Sequence, residues 1–407
     1  MIATIIGIVA AAAWLYLIAC RGRFWQVHDD AGAIGPAPER APSLTLPNPP
    51  PQAGEGTVGA ARGREGWAHI VAVIPARDEA DVIGRAVGSL LAQNYPGPLH
   101  VIVVDDHSGD ATAAMARAAA GKADAADRLT IIASEPMPAG WTGKLWAVRQ
   151  GIAAAQARRP DYLLLTDADI VHAPHNLAAL VARAEAGGYD LASLMVRLNC
   201  DSVSERLLIP AFVFFFFMLY PPRWAADPRR RTAAAAGGCM LIRRDALERI
   251  GGVDSIRHEI IDDCALARRV KAVGRVWLGA SRDTISIREY RSWRPIWDMI
   301  ARCAFAQLGY SALALIGMVA ALFVIFAMPP LLLLSGSASA MALGAAAWLA
   351  MSLAYVPILR FYRCPAVLAP LLPLIALFYT AATVGSAVQF WRGRGGRWKG
   401  RYQAATP

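Results

Sequence analysis

The stretch Ile70-Val-Ala-Val-Ile-Pro-Ala-Arg-Asp-Glu79 decides how this chain folds. Its apolar run, Val71 to Ile74, is too short for an amphipathic helix; Pro75 stops it and charged residues follow at once. Outward from it, Ile83, Val87, Leu90 and Leu91 recur at helical spacing, and Asn94-Tyr-Pro-Gly97 makes a turn. Val101 to Val104 reads as a second buried strand, 111–120 as a second helix and Leu129 to Ile132 as a third strand. Leu145 to Ala155 reads as helix, Tyr162 to Leu165 as a fourth strand and Leu177 to Ala186 as helix. Strands that are apolar throughout and alternate with helices predict an α/β domain with a mainly parallel sheet covered on both faces. Ligands of such sheets bind beyond the carboxyl ends of the strands.

Acidic residues gather at those ends. Asp78 and Glu79 follow the first strand, Asp105 and Asp106 the second, Asp167 and Asp169 the fourth. If these strands are neighbours, their carboxylates converge on one rim, where they repel one another unless a cation intervenes. Mg²⁺ or Mn²⁺ takes oxygen ligands and bridges to phosphate oxygens. An isolated Asp-x-Asp is more often a turn or a helix cap; its position after Tyr162-Leu-Leu-Leu-Thr166 and the company of Asp105 favour a site. No Gly-rich loop ending in Gly-Lys-Ser/Thr occurs, which argues against ATP hydrolysis of that type.

From about Val71 to Ile287 the sequence resembles the GT-A glycosyltransferases of family 2. The resemblance is carried, in order, by Val73-Ile-Pro-Ala-Arg-Asp-Glu79, Val103-Val-Asp-Asp-His-Ser-Gly-Asp110, Asp167-Ala-Asp169, Gly237-Gly-Cys-Met-Leu-Ile-Arg-Arg244 with Gly251-Gly252, and Asp262-Asp263 with Leu266 and Arg269. It implies a Rossmann-like GT-A domain and an inverting, metal-dependent transfer from a nucleotide-sugar. By position, Asp105 matches the residue that contacts the nucleotide's base or ribose, and Asp167 and Asp169 match the metal and diphosphate ligands. Lys144, in Trp141-Thr-Gly-Lys144, matches a Gly-Lys position near the donor. Pro75, Ala76, Arg77, Glu79, Asp106 and Ala168 fall in the donor motifs, and Gly237, Gly238 and Cys239 on the acceptor side. Asp263 matches the general base; Asp262 replaces the usual glutamate, so either carboxylate is a candidate. Asp263 also reads as a helix N-cap, because Leu266, Val270 and Val273 trace a helix face from there.

The chemistry requires such groups. A carboxylate must take the proton of a weakly nucleophilic acceptor hydroxyl, and a cation must neutralise the departing diphosphate. The Gln-x-x-Arg-Trp motif of processive synthases is missing, and Arg288-Glu-Tyr-Arg-Ser-Trp-Arg-Pro295 stands in that region. Transfer of a single sugar is expected. A sugar nucleotidyltransferase would need a Gly-rich, Lys/Arg-containing loop where Pro75-Ala-Arg-Asp-Glu79 stands. A non-catalytic lipid-binding membrane component would be expected to have lost Asp263 or the Asp167 pair.

The flanks address a membrane. The apolar share of the 407 residues is 56%, against roughly 45–50% in soluble domains. Residues 1 to 20 carry no charge and Arg21 and Arg23 follow, which predicts a transmembrane anchor over 1–23 with the rest on the cytoplasmic side. A cleaved lipoprotein signal ending at Cys20 is opposed by those arginines. Residues 24–69 read as a Pro/Gly-rich linker, 70–300 as the catalytic domain, 301–391 as two to three membrane segments and 392–407 as a basic tail. The uncharged stretch Cys303 to Leu359, broken by Pro329-Pro330 and Ser335-Gly-Ser337, predicts two crossings; Cys364 to Trp391 predicts a third segment. Three full crossings would strand Arg392, Arg394, Arg397, Lys399 and Arg401 on the wrong side, so one segment is expected to be re-entrant or interfacial, with Pro365 to Pro373 the candidate.

Phe212 to Leu219 reads as an apolar patch too short to cross, either an interfacial helix or core. Arg229-Arg-Arg231 reads as a solvated run or a contact for lipid phosphates. The net charge of +10 is accounted for by these membrane flanks rather than by nucleic acid. The six cysteines have no metal-type spacing and predict neither disulfide framework nor zinc.

Within family 2, Pro138-Ala-Gly-Trp-Thr-Gly-Lys-Leu-Trp146, Tyr162 to Asp169 and Arg229 to Met240 resemble the hopene-associated glycosyltransferase group. That resemblance implies a hopanoid or other triterpenoid acceptor; with the charge of the flanks, the expectation is a multi-pass inner-membrane enzyme with a cytoplasmic catalytic domain. A polyprenyl phosphate or a sphingolipid-like acceptor is the alternative.

Overall fold

A computed structural model of the chain describes residues 1–30, 66–396 and Lys399. Most of the expected linker (31–65) and of the basic tail beyond 396 lies outside the described residues.

The catalytic unit is an eight-stranded sheet. Its strands are β1 (Ile70–Ala76), β2 (Leu99–Asp105), β3 (Leu129–Ala133), β4 (Tyr162–Thr166), β5 (Ile170–Val171), β6 (Leu191–Arg197), β7 (Cys239–Arg243) and β8 (Val276–Ser286), in the order β3-β2-β1-β4-β7-β6-β8-β5. The four strands read from the sequence are β1 to β4, all parallel and adjacent. β7 enters antiparallel between β4 and β6, and β5 pairs antiparallel with β8, so the sheet is mixed.

Every residue of β1 is buried, because both faces are covered. Ile70, Ala72 and Ile74 pack with α2 (Ala80–Leu91), α3 (Thr112–Lys122) and α5 (Asn176–Gly187). Val71 and Val73 pack on the other face with α4 (Gly143–Ala155) and α9 (Asp262–Lys271). In α4, Gly151 lies so close to β1 that an added Cβ would sit 2.4 Å from Val73 Cγ1. The helix expected from Leu266, Val270 and Val273 is α9, but it ends at Lys271 and leaves Val273 exposed.

Around this unit lie α1 (Ile2–Ala19), α6 (Val203–Leu219), α7 (Pro222–Ala226), α8 (Arg244–Arg249), α10 (Trp293–Gln307), α11 (Ala312–Leu322), α12 (Met328–Leu331), α13 (Ala338–Phe361) and α14 (Leu372–Trp391). Among the described residues five helical stretches are long and apolar enough to cross a membrane: 2–19, 203–226, 312–334, 338–361 and 366–391. The patch at Phe212 is therefore not too short. It belongs to a helix begun nine residues earlier by a capping box, in which Ser202 and Glu205 satisfy each other's backbone.

Two groups of helices differ in where their ends lie. α1 and α13 run side by side, with Thr4 Oγ1 3.1 Å from Ser339 Oγ at one end. At the other end both meet the catalytic unit: the chain leaving α1 reaches β8, where Asp30 N donates to the Ala280 carbonyl at 2.8 Å, and the Tyr362 hydroxyl accepts from the Leu198 backbone just past β6. Between them Trp14 donates to the Ile325 carbonyl, tying 312–334 into the same layer. By contrast, α6 begins just past β6, and α7, which follows it at once, packs on β8 and leads back to β7 in the same sheet, so both ends of α6 lie against the catalytic unit. Residues 364–399 likewise return to it: Cys364 Sγ lies 3.6 Å from Cys200 Sγ, and Lys399 Nζ lies 2.8 Å from Glu79 Oε1. The stretch suspected of re-entry, Pro365 to Pro373, holds a 3₁₀ turn (Ala366–Leu371) leading into α14, and its Pro370 carbonyl accepts from Trp348, midway along α13.

Candidate active site

The carboxyl ends of β2, β1 and β4 are adjacent, so the acidic residues after them share one rim. Asp105 ends β2, where its Oδ1 accepts the Ser108 N–H at 3.0 Å and shapes the loop. Asp106 is buried; Arg77 donates to its carbonyl at 2.8 Å and reaches its carboxylate at 3.4 Å. Asp78, at φ 51, accepts the Gly109 N–H and links the loops after β1 and β2. Pro75 and Leu165 line one cavity with Lys144, Asp167, Gly237 and Asp262, which brings donor-side and acceptor-side motifs together.

Lys144 is the hub. Presented one turn from the Thr142 cap of α4, its ammonium lies 3.0 Å from Asp167 Oδ1 and 3.1 Å from Asp262 Oδ2. Burial works against its charge, but the carboxylates of Asp167, Asp262 and Asp263 outweigh burial and hold it protonated. Asp167 itself is pushed up, first by burial and then by Asp169 and Asp262, with Lys144 opposing. Its side chain keeps 37% exposure and opens to the cavity, whereas Ala168 turns into the core.

Asp169 is buried and takes a different set of partners: the Ser286 hydroxyl at 2.8 Å and Arg288 Nε at 3.2 Å. Arg288 also forks onto both oxygens of Glu79 at 2.7 and 2.8 Å, and Lys399 adds a second cation there. Neither Arg288 nor Lys399 was assigned a role from the sequence. The available signal for Arg288 was its place two residues past the end of β8, in the region where processive enzymes carry their motif.

Asp262 and Asp263 are the first two residues of α9; Ile261 is the residue before the helix, so Asp263 is not its N-cap. Free backbone N–H groups at a helix start favour negative charge. Asp263 Oδ2 accepts from Gly237 N at 2.9 Å and Oδ1 from Cys264 N at 2.7 Å. Burial, then the neighbouring Asp262 charge, raises the Asp263 carboxyl to about 6 against the opposing pull of Lys144 and these hydrogen bonds. A Cβ on Gly237 would lie 3.3 Å from Lys144 Nζ and 3.4 Å from Asp263 Oδ2, which explains a glycine there. The other two acceptor-side candidates do not join this group. Gly238 gives its carbonyl to Thr166, and Cys239 is fully buried with its Sγ 3.7 Å from Asn176.

A rim of carboxylates and cations over parallel strands, with the paired aspartates after β4, defines an α/β group-transfer enzyme of GT-A type. The model of the family described as Glycosyltransferase like family 2 matches residues 68–291, and the chain belongs to that family: it is a glycosyltransferase. Among solved structures, a mannosyltransferase from Pyrobaculum calidifontis in complex with GDP-Man and Mn²⁺ is similar at 18% identity and TM-score 0.56, over 95% of this chain and 99% of that one. The likeness of fold thus extends past the sheet into the helical layer. A glucosyl-3-phosphoglycerate synthase from Mycobacterium tuberculosis, in complex with Mn²⁺, uridine-diphosphate and phosphoglyceric acid, matches at 18% identity and TM-score 0.40, over 60% and 78% of the two chains. No curated protein sequence matches.

Proposed function

We propose that the enzyme moves one sugar from a nucleotide-sugar to a lipid acceptor at a membrane surface, with inversion at the anomeric carbon. One observation carries the lipid assignment. Cys264, the residue after Asp263, is buried in the same apolar cluster as Phe214 and Phe217 of α6 and Ile296 and Ile300 of α10. The thiol of Cys303 on α10 is raised by burial and also feels Asp263 and Asp262. Asp263 thus borders the apolar cluster that α6 and α10 share, where a lipid hydroxyl would meet it.

In this reading Asp263 takes the acceptor proton, held as a carboxylate at neutral pH and aimed by the Gly237 and Cys264 N–H groups. Asp262, engaged by Lys144, is the weaker candidate. Lys144 stands between the diphosphate side and the acceptor side and would follow the developing charge of the leaving group. Asp105, with Arg77 and Asp106 behind it, would receive the nucleoside.

Among the described residues no group of three or more His, Cys, Asp or Glu side chains gathers as a metal cage. Two aspartates presenting oxygen fit a hard ion such as Mg²⁺ or Mn²⁺ that takes its remaining ligands from phosphate and water. Asp167 and Asp169 would hold that ion, whose part is to neutralise diphosphate charge.

We further infer three crossings, by 2–19, 312–334 and 338–361, with α6 and 364–396 dipping in and returning. This count leaves Arg21, Arg363, Arg392 and Arg394 on the side of the catalytic unit, which the charge rule makes the cytoplasmic side of an inner membrane. A hopanoid or related triterpenoid is the acceptor favoured by the motif resemblance, with a polyprenyl phosphate or sphingolipid-like molecule as competitor. Incubating purified enzyme with a panel of radiolabelled nucleotide-sugars and extracted membrane lipids tests the whole reading. Label should enter a lipid fraction with wild type and not with Asp263→Asn. Equal release of nucleoside diphosphate by both proteins with every donor and lipid would overturn it.

A further inference from the structure

A second cavity, of about 400 Å³, lies at the β5–β8 edge of the sheet, where α13 meets the catalytic unit. Its lining includes Val171 and Ile285 of the β5–β8 pair, His175, the three arginines Arg197, Arg282 and Arg363, Asp283, and Phe361 at the end of α13. Arg197 is steadied by donating from Nε to the Arg282 carbonyl at 2.9 Å. The Arg282 guanidinium stands 5.1 Å over the Phe361 ring, and the Arg282 backbone N–H reaches Asp29 Oδ1 at 3.3 Å. Among the described residues none of these three arginines forms an ion pair with a side chain.

Three arginines lining one concavity, with Asp283 the one acidic residue among the lining, leave a surplus of positive charge. Guanidinium matches phosphate oxygens in a two-point geometry that ammonium cannot reproduce. The depth also matters. Phe361 and Tyr362 close the last turn of α13, and Arg363 follows at φ 56, turning the chain out of the apolar layer. On the proposed three-crossing arrangement, this is the level of lipid phosphates.

We propose that this cavity binds the headgroup of an anionic phospholipid, its phosphodiester gripped by Arg282 and Arg363 beside Arg197. The Asp283 carboxylate accepts from a headgroup hydroxyl, which favours a glycerol-type headgroup over choline. Such a lipid would hold the β5–β8 edge, and with it the Asp169 end of the donor site, at a fixed height over the bilayer. The inference rests on the membrane placement above but not on the identity of donor or acceptor.

Native mass spectrometry of the full-length enzyme in detergent, offered phosphatidylglycerol or phosphatidylcholine, tests it. Wild type should retain phosphatidylglycerol preferentially, and Arg282→Gln and Arg363→Gln should each lower that retention about fivefold. Retained thermal unfolding temperature would show that the variants fold. Asp263→Asn should retain the lipid as wild type does, which separates this result from the fate of the transfer reaction. Equal retention of both lipids, or unchanged retention by folded variants, would sink the proposal. Competition by soluble glycerol phosphate at concentrations as low as those of the lipid would also sink it, by identifying a free phosphate ligand instead.

Discussion

The two halves of the sheet build their parts of the site in different ways. The half made of β1 to β4 follows chain order closely: each strand is parallel to its neighbour, and β1, β2 and β4 hand their acidic residues to the same rim. The half made of β5 to β8 is assembled from distant pieces. β7 arrives antiparallel after an excursion through α6, and Arg288 reaches back across 209 positions to Glu79. The first half is a platform set by repetition; the second is a closure set by tertiary contacts. The proposed donor chemistry lies on the platform, and the proposed base and lipid access lie on the closure.

The sharpest way to break this division is Asp263→Asn. If the base belongs to the second half, kcat for sugar transfer falls about 10³–10⁴-fold while nucleotide-sugar still binds. Asp262→Asn should cost less; a larger loss there would move the base by one residue. Next in size, Asp167→Asn, or chelation of divalent ions, should slow transfer about 10³-fold, and Mn²⁺ should restore the chelated enzyme but not the variant. Full activity in chelator would remove the metal from the first half.

A smaller effect concerns pH. The Asp263 carboxyl is raised to about 6, and a general base works only when ionised. The rate should therefore hold above that value and fall about tenfold per unit as pH drops below it; a limb near pH 4 would mean an unperturbed carboxylate. Gly237→Ala tests the seam between the halves. The added methyl crowds Lys144 and Asp263 at 3.3 and 3.4 Å, and a loss of about tenfold in kcat with little change in donor affinity is expected. The least catalytic of the changes is Gly151→Ala, which pushes a methyl against Val73 and should destabilise the platform by about 1–3 kcal/mol. A drop in thermal unfolding temperature with near-normal kcat in the folded fraction would confirm that β1 and α4 act as support.

The same contrast explains what could be read in advance. β1 to β4 and the helices α2 to α5 were legible because a strand buried on both faces must be apolar throughout, and a covering helix must repeat at 3.6 residues. The place of Asp105, Asp167 and Asp169 on one rim was legible because polar residues directly after such strands have one rim to occupy. The partners of Asp169 and Glu79 were not. Arg288 and Lys399 are separated from those carboxylates by 119 and 320 positions, and nothing local in the chain marks the meeting. Cys239 followed the acceptor motif on paper yet turns into the core, since neighbours in a strand face opposite sides. The route of α6 was hidden for a related reason: length and apolarity measure whether a helix can cross, and only β7 returning to the sheet fixes where its ends must be.

By itself, then, the sequence determined the parallel core, the acidic rim, the family and the presence of apolar helices, because each is written in local periodicity or in contiguous motifs. The tertiary structure decided which carboxylates share Lys144, which cations close over Glu79 and Asp169, and which helices lead away from the catalytic unit. Those outcomes depend on long-range contacts between side chains, and such contacts leave no period in the chain to read.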